Sequence, residues 1–315
     1  MKQFIKKVAL YFAIIFVIST ISSVLFYIIV VPQYRYNYNA SVIDKLERLQ
    51  KLDSPKIILV GNSNLAFGID SARIEKKLGM PVVNLGLHGG MGNAFHEKMA
   101  TFNIGEGDIV VLSHTNYSDE SIIDDNSLAW ITIEDHLEYL RLLNQKDYWK
   151  MLCAYPHYVK ESVKLWISGT GNTVPNPPYS RLSFNEYGDV NIPRSESHFT
   201  FKKDTMGVPN INDNCTNRIN EFYKYCIQRG AHLVVAAVPI GDGPFTPAKE
   251  KYVEFQKQLD EKLDCPIISD FTDYFIDYSY FYDTKWHLTT EGADIRTDQL
   301  IKDLQNWITT QGAID

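Results

Sequence analysis

Lys56-Ile57-Ile58-Leu59-Val60-Gly61-Asn62-Ser63-Asn64 sets a four-residue apolar run against a glycine and then a string of small polar residues. A short apolar run that stops at glycine reads as a strand buried on both faces, the habit of parallel sheets. The same grammar recurs at 81–85, 108–112, 233–238 and 266–269. Helical periodicity fills the gaps. Residues 71–78 end at Gly79, a usual left-handed cap, and 94–102 and 217–228 follow the same spacing. A final helix carries Ile295, Leu300, Ile301, Leu304, Trp307 and Ile308 on one face. Strands alternating with helices predict an α/β fold whose parallel sheet is covered on both sides.

The rhythm breaks between Tyr117 and Cys215. Turn signals crowd there: Gly169-Thr170-Gly171-Asn172, Pro175-Asn176-Pro177-Pro178 and Tyr187-Gly188-Asp189. We expect an insertion at the sheet's carboxyl edge, helical over about 131–166 and irregular after that. Its tryptophans and tyrosines suit either a core or a stacking platform for sugar rings.

Upstream, no Asp, Glu, Lys, Arg or His lies between Lys7 and Arg35, and 8–31 is almost wholly apolar. About 20 helical residues cross a hydrocarbon core of ~30 Å. A cleaved signal sequence usually has a shorter apolar region ending in a small-residue site, which this run lacks. Lys2, Lys6 and Lys7 precede the run and only Arg35 follows closely, which orients the amino terminus inward. Tyr34, Tyr36 and Tyr38 fit an interfacial belt. The expected organisation is a cytoplasmic tail (1–7), a transmembrane anchor (8–31), a juxtamembrane helical link (32–54) and an extracytoplasmic α/β domain (55–315) with an insertion at about 118–215. In the link, Val42, Ile43, Leu46, Leu49 and Leu52 form one stripe.

The net charge of −7 becomes −10 once the three amino-terminal lysines are set aside. An acidic domain without a basic stripe argues against nucleic acid. Cys153, Cys215, Cys226 and Cys265 have no C-x-x-C spacing, and four cysteines leave three possible pairings open. Gly90-Met91-Gly92-Asn93-Ala94-Phe95 fails the last position of a dinucleotide loop. His88, His96 and His114 match no metal motif. No cofactor or metal is expected.

Ligands of open α/β sheets sit at the carboxyl ends of the strands. There the sequence offers Ser63, then Asn84-Leu85-Gly86-Leu87-His88, then Ser113-His114-Thr115-Asn116, and finally Asp283-Thr284-Lys285-Trp286-His287. A serine hydroxyl becomes a nucleophile only beside a base, and the base needs an orienting partner. Ser63 is the candidate nucleophile, His287 the base and Asp283 its partner. The backbone N–H groups of Ser63 and Gly86 and the Asn116 side chain are candidate oxyanion donors. Asn62, His88 and His114 are candidate pocket walls that contact substrate.

These blocks, in this order over roughly 55–297, resemble the SGNH (GDSL-like) hydrolases. Gly61-Asn62-Ser63 resembles their Gly-Asp-Ser block, Gly86 the second-block glycine, Asn116 the third-block asparagine, and Asp283 with His287 the last block. The resemblance implies a flavodoxin-like three-layer sandwich and ester hydrolysis or acyl transfer without a cofactor. A single anchor and this ending also look like membrane-attached members, which implies O-acetylation or deacetylation of a surface polysaccharide beside a multi-spanning acyltransferase partner. Asn62 replaces the family's aspartate, and His114 and Tyr117 replace a third-block glycine and aspartate. Asp283 lies four residues before the histidine instead of three, with Asp277 and Asp270 as alternatives. The same departures suit a degenerate SGNH domain that binds polymer or an assembly partner.

Overall fold

The computed structural model describes residues 1–117, 126–203 and 207–312. In chain order its elements are α1 (Lys2–Ile29), α2 (Val42–Lys51), β1 (Ile57–Gly61), α3 (Ser63–Gly68), α4 (Ser71–Leu78), β2 (Val82–Asn84), α5 (Asn93–Ala100) and β3 (Ile109–Ser113). They continue with α6 (Asn126–Ile133), α7 (Gln145–Ser168), α8 (Asp213–Ile227), β4 (His232–Val235), β5 (Ile240–Asp242), α9 (Lys249–Asp260), β6 (Phe275–Asp277) and α10 (Thr290–Gly312).

Four strands pair in parallel in the order β2–β1–β3–β4, with Ile57 opposite both Val82 and Ile109, and Ile109 opposite His232. Every residue of β1 is buried. Ile58 and Val60 pack with Leu46 of α2, Met99 of α5, Ile219 of α8 and Leu259 of α9. Ile57 and Leu59 meet Ile74 of α4 and Leu300 and Leu304 of α10. A strand's alternate side chains point to opposite faces, so helices cover the sheet on both sides. This is the mixed α/β arrangement with a parallel sheet that the apolar runs predict.

Several expectations shift in detail. The 233–238 strand ends at Val235, and 266–269 joins its edge through one bridge, Val235 to Ile267. Parallel pairing of β5 with β6 is an addition. Ile295 is 42% exposed, and Arg296 takes the inward position, because one step on a helix turns a side chain by about 100°. The 32–54 segment is no free link. Val42, Leu46 and Leu49 of α2 are fully buried, and buried Lys45 donates to the Asn84 and Gly188 carbonyls.

Residues 118–125, where the insertion is expected to begin, lie outside the described residues. Its helix is not continuous over 131–166, being divided into α6, a 3₁₀ turn (Leu137–Leu142) and α7. The return limb runs along the carboxyl end of β2, where Asn84 N–H donates to the Tyr187 carbonyl at 2.8 Å. The buried Asp189 carboxylate accepts from Ser71 N–H (2.8 Å), Ser71 Oγ (2.7 Å) and Asn84 Nδ2 (2.8 Å).

Helix α1 has 28 residues and contains an 18-residue stretch with a mean hydropathy of 2.5, long and apolar enough to cross a membrane. Its last turns dock onto the insertion. Phe26 and Val30 pack with Tyr158, and the Glu134 carboxylate accepts the N–H groups of Gln33 (2.6 Å) and Tyr34 (3.0 Å). Burial pushes the Glu134 carboxyl up to about 7 against the pull of those two bonds. Its folded pKa thus exceeds the unfolded value of about 4.3, so the folded state binds more protons between those values and loses stability as pH rises through them. Thermal unfolding of the detergent-solubilised full chain should therefore show wild type losing Tm relative to Glu134→Gln between pH ~4.5 and ~7. A Tm difference that stays flat over that interval would contradict the account.

Candidate active site

The turn after β1 admits only glycine first. A Cβ at Gly61 would stand 2.5 Å from the Ser113 carbonyl oxygen and 2.9 Å from Leu65 Cδ1. Asn62 then caps α3, its Oδ1 accepting Asn64 N–H (3.0 Å) and Asn64 Nδ2 (2.7 Å), while its Nδ2 donates to Thr115 Oγ1 (2.6 Å). Both polar ends of its side chain thus help to hold the turn, while the residue still lines the cleft. Ser63 opens α3 and stands half-buried at the carboxyl edge of the sheet.

The partner arrives on a hairpin before α10. Phe281 pairs antiparallel with Leu288, and Tyr282 N–H donates to the His287 carbonyl (2.8 Å). Thr284 Oγ1 accepts the N–H groups of Trp286 (3.2 Å) and His287 (3.1 Å). That turn folds Asp283 back onto His287, which is how a four-residue spacing serves. His287 Nδ1 lies 2.8 Å from Asp283 Oδ1, and Nε2 lies 2.8 Å from Ser63 Oγ. Such a chain requires the neutral imidazole to carry its proton on Nδ1, so that Nε2 accepts from the serine. Phe67 stacks flat on the imidazole, 3.9 Å between centroids and 6° between planes. The fallback carboxylates are engaged elsewhere: Asp277 accepts from Ser279, and Asp270 from Thr272.

Burial alone raises the Asp283 carboxyl, but hydrogen bonds from His287 and from Tyr179 Oη outweigh it and leave it below its ordinary value. Tyr179 belongs to the insertion, and its own hydroxyl is pushed up by burial and by that carboxylate. An ionised Asp283 is what an imidazolium forming on His287 needs.

The serine opens into a cleft of about 650 Å³ lined in part by Tyr38, Asn62, His88, Asn116, Tyr179 and Trp286. Asn116 lines the cleft, and its Oδ1 accepts from Asn93 Nδ2 at 3.3 Å. His88 stands exposed on the cleft wall, its Nδ1 accepting Gly90 N–H at 3.0 Å.

Two expectations are corrected. Gly86 does not line the cleft, and its N–H donates to Asn84 Oδ1 at 2.9 Å, so it is not an oxyanion donor. It is glycine because a Cβ would meet Ala66 N at 2.6 Å. Gly89 and Gly90 of the same loop line the cleft instead. His114 is 3% exposed and pairs with Glu97 (2.9 Å), which Arg218 also holds (2.8 Å), so it is a structural wall and not a substrate contact. It borders a separate, narrower cavity with Tyr117, Phe255 and Trp286.

Sequence reasoning misses Tyr179, Phe67 and Arg296. Nothing in the chain near Tyr179 marks it among the insertion's many aromatics. Phe67 sits four residues after Ser63, one helical turn away, and Arg296 interrupts an apolar helix face; these are the signals that point to each.

Removing the Tyr179 hydroxyl takes one charge-assisted bond from Asp283. Tyr179→Phe should slow covalent capture of Ser63 by a fluorophosphonate about tenfold, near the lower end for a bond to a charged group. It should also move the acidic edge of that reactivity to higher pH, since the lost donor had favoured the carboxylate. Rate constants measured over a pH series check both, and an unchanged profile removes Tyr179 from the relay.

Comparison with protein-family models, curated proteins and solved structures finds no match to this chain.

Proposed function

We propose that the chain is a membrane-anchored serine acyltransferase or esterase of the SGNH type that acts on a carbohydrate outside the membrane. One observation carries the reading: Ser63, His287 and Asp283 form an unbroken relay of 2.8 Å contacts that opens into the cleft. The strand order β2–β1–β3–β4, with Ile267 bridging to the β4 edge, agrees with the flavodoxin-like sandwich the resemblance implies.

In the first half-reaction Ser63 Oγ attacks the acyl carbonyl while His287 Nε2 takes its proton. Asp283 holds the imidazole and stabilises the charge it gains. The oxyanion meets Ser63 N–H, the Asn116 amide and Gly89 N–H, with Gly89 in the role first read for Gly86. Gly89 packs beside the turn, its ideal Cβ lying 3.5 Å from Asn62 Nδ2. Collapse expels the donor's alcohol, which takes the proton from His287. A sugar hydroxyl or water then attacks the acyl-serine, His287 again serving as base.

The lining favours a sugar. Tyr38, Tyr179 and Trp286 offer flat rings that stack on the apolar faces of pyranoses, while Asn62, Thr115 and His88 supply polar edges. The lysines in the first turns of α1 support an inward amino end, with the cleft on the outer side. A surface polysaccharide and a multi-spanning acyl-supplying partner belong to the same reading, through the family resemblance.

Ser63→Ala in the full-length, detergent-solubilised chain should abolish hydrolysis of an aryl acetate and eliminate the fluorophosphonate adduct. Retained turnover in that variant, or an adduct at another residue, would sink the assignment. Wild type that neither turns over nor labels supports the polymer-binding module instead.

A further inference from the structure

We propose that the insertion helix α7 lies in the membrane interface and seats the domain on the lipid surface with its cleft at a fixed height. The proposal goes beyond the catalytic reading and rests on α1 crossing the membrane.

Helix α7 presents a large apolar surface to solvent. Trp149 is 70% exposed, Leu152 60% and Ile167 74%. Spacings of 3 and 15 residues put these three on one face, with Pro156 and Val163 between them. The opposite face, with Met151, Ala154, Tyr158 and Ser162, is buried in the protein. A soluble domain has no cause to leave such a stripe bare.

The geometry of α1 says what covers it. The last turns of α1 pack along the edge where the two faces of α7 meet. Phe26 crosses the rings of Tyr155 and Tyr158 edge-on (6.2 and 5.8 Å), and Val159 and Val163 join that cluster. The lipid-facing surface of α1 thus runs directly into the bare stripe of α7. At 1.5 Å per residue, Phe26 to Val30 lie within about the last 8 Å of the apolar run ending at Val31, the level of the headgroup boundary. The stretch of α7 docked there, residues 155–163, therefore meets the boundary.

Composition agrees with the placement. Tryptophan and tyrosine concentrate at this level in membrane proteins, and Trp149, Trp166 and Tyr148 stand out from α7. Lys146 and Lys160 flank the apolar stripe on the side away from α1, a basic margin that fits anionic headgroups. The domain as a whole is acidic, so this local cationic edge is not a general surface property.

Bromine on lipid acyl chains quenches tryptophan emission on contact. The full chain is reconstituted in phosphatidylcholine–phosphatidylglycerol vesicles with and without dibrominated chains. We expect brominated vesicles to quench wild-type emission, and Trp149→Phe with Trp166→Phe to remove more than half of the quenched part. Both sites are exposed and the replacement is conservative, so the fold is retained; circular dichroism checks it. Alkaline carbonate extraction separates the two ways to fail. Release of the chain overturns the anchor and this inference together. Retention with quenching unchanged by the double substitution overturns the seat of α7 alone and assigns its bare face to a protein partner.

Discussion

One buried guanidinium holds the carboxyl edge of the sheet together. Arg296 is 2% exposed and sits beneath the turn that presents Ser63. Its Nη1 donates to the Asn64 carbonyl (2.6 Å), and its Nη2 to Asn64 Oδ1 (2.8 Å) and Ser113 Oγ (2.9 Å), with the Ala237 carbonyl at 3.5 Å. Those acceptors follow β1, end β3 and follow β4, so one side chain from α10 ties three strand ends. Burial lowers its pKa to about 10, which still leaves it charged at neutral pH. An unpaired buried charge costs several kcal/mol, and the penalty is met here by backbone carbonyls and neutral side chains. The arrangement is rigid because any shift of the turn uncovers the charge. Helix α10 thereby brings both the histidine hairpin and the clamp beneath its target.

What the sequence makes legible follows physical locality. Buried parallel strands are written as unbroken apolar runs, so β1 and β3 are plain, whereas the contacts of 266–269 with the sheet depend on a neighbour and shrink to one bridge. Ser63 and His287 are legible because a hydroxyl after a strand and an imidazole before a helix have few other places to go. Gly86 misleads for an instructive reason. A loop glycine marks close backbone approach but not what approaches, and here it is Ala66 N and Asn84, not a ligand. His114 misleads similarly, since facing inward from the strand end leads it to Glu97. Arg296 is a charge inside an apolar pattern, and its partners, some 60 to 230 residues away, are invisible to periodicity.

The insertion does two jobs with one piece of chain. Near its start Glu134 accepts the backbone of Gln33 and Tyr34, and Asn172 grips the same segment through Pro32, Gln33 and Arg35. Seven to nine residues further on, Tyr179 reaches Asp283 and Arg181 pairs with Asp44 at 2.6 Å. The stretch leaving the apolar helix is thus fastened at several points to the limb that also braces the triad. Tyr38, itself only a few residues past that stretch, lines the cleft.

That fastening changes what an anchor means here. A flexible tether of n residues would let the cleft sample distances growing roughly as 5–6 Å × √n from the bilayer. Residues 32–41 are instead held by the insertion and α2 is part of the core, so the tether has almost no free length. On the proposed reading, with α1 in a membrane, a serine held this way meets substrates carried at one height and few others, whatever its intrinsic reactivity. On that same reading, selectivity between lipid-linked or nascent polymer and free small esters is set partly by the distance from Phe26 to Ser63, and not by the cleft alone. Reading the insertion as a spacer that fixes this distance also gives its buried carboxylate a use: the two oxygens of Glu134 accept two consecutive backbone N–H groups as the chain leaves the helix, which an apolar side chain would leave unpaired.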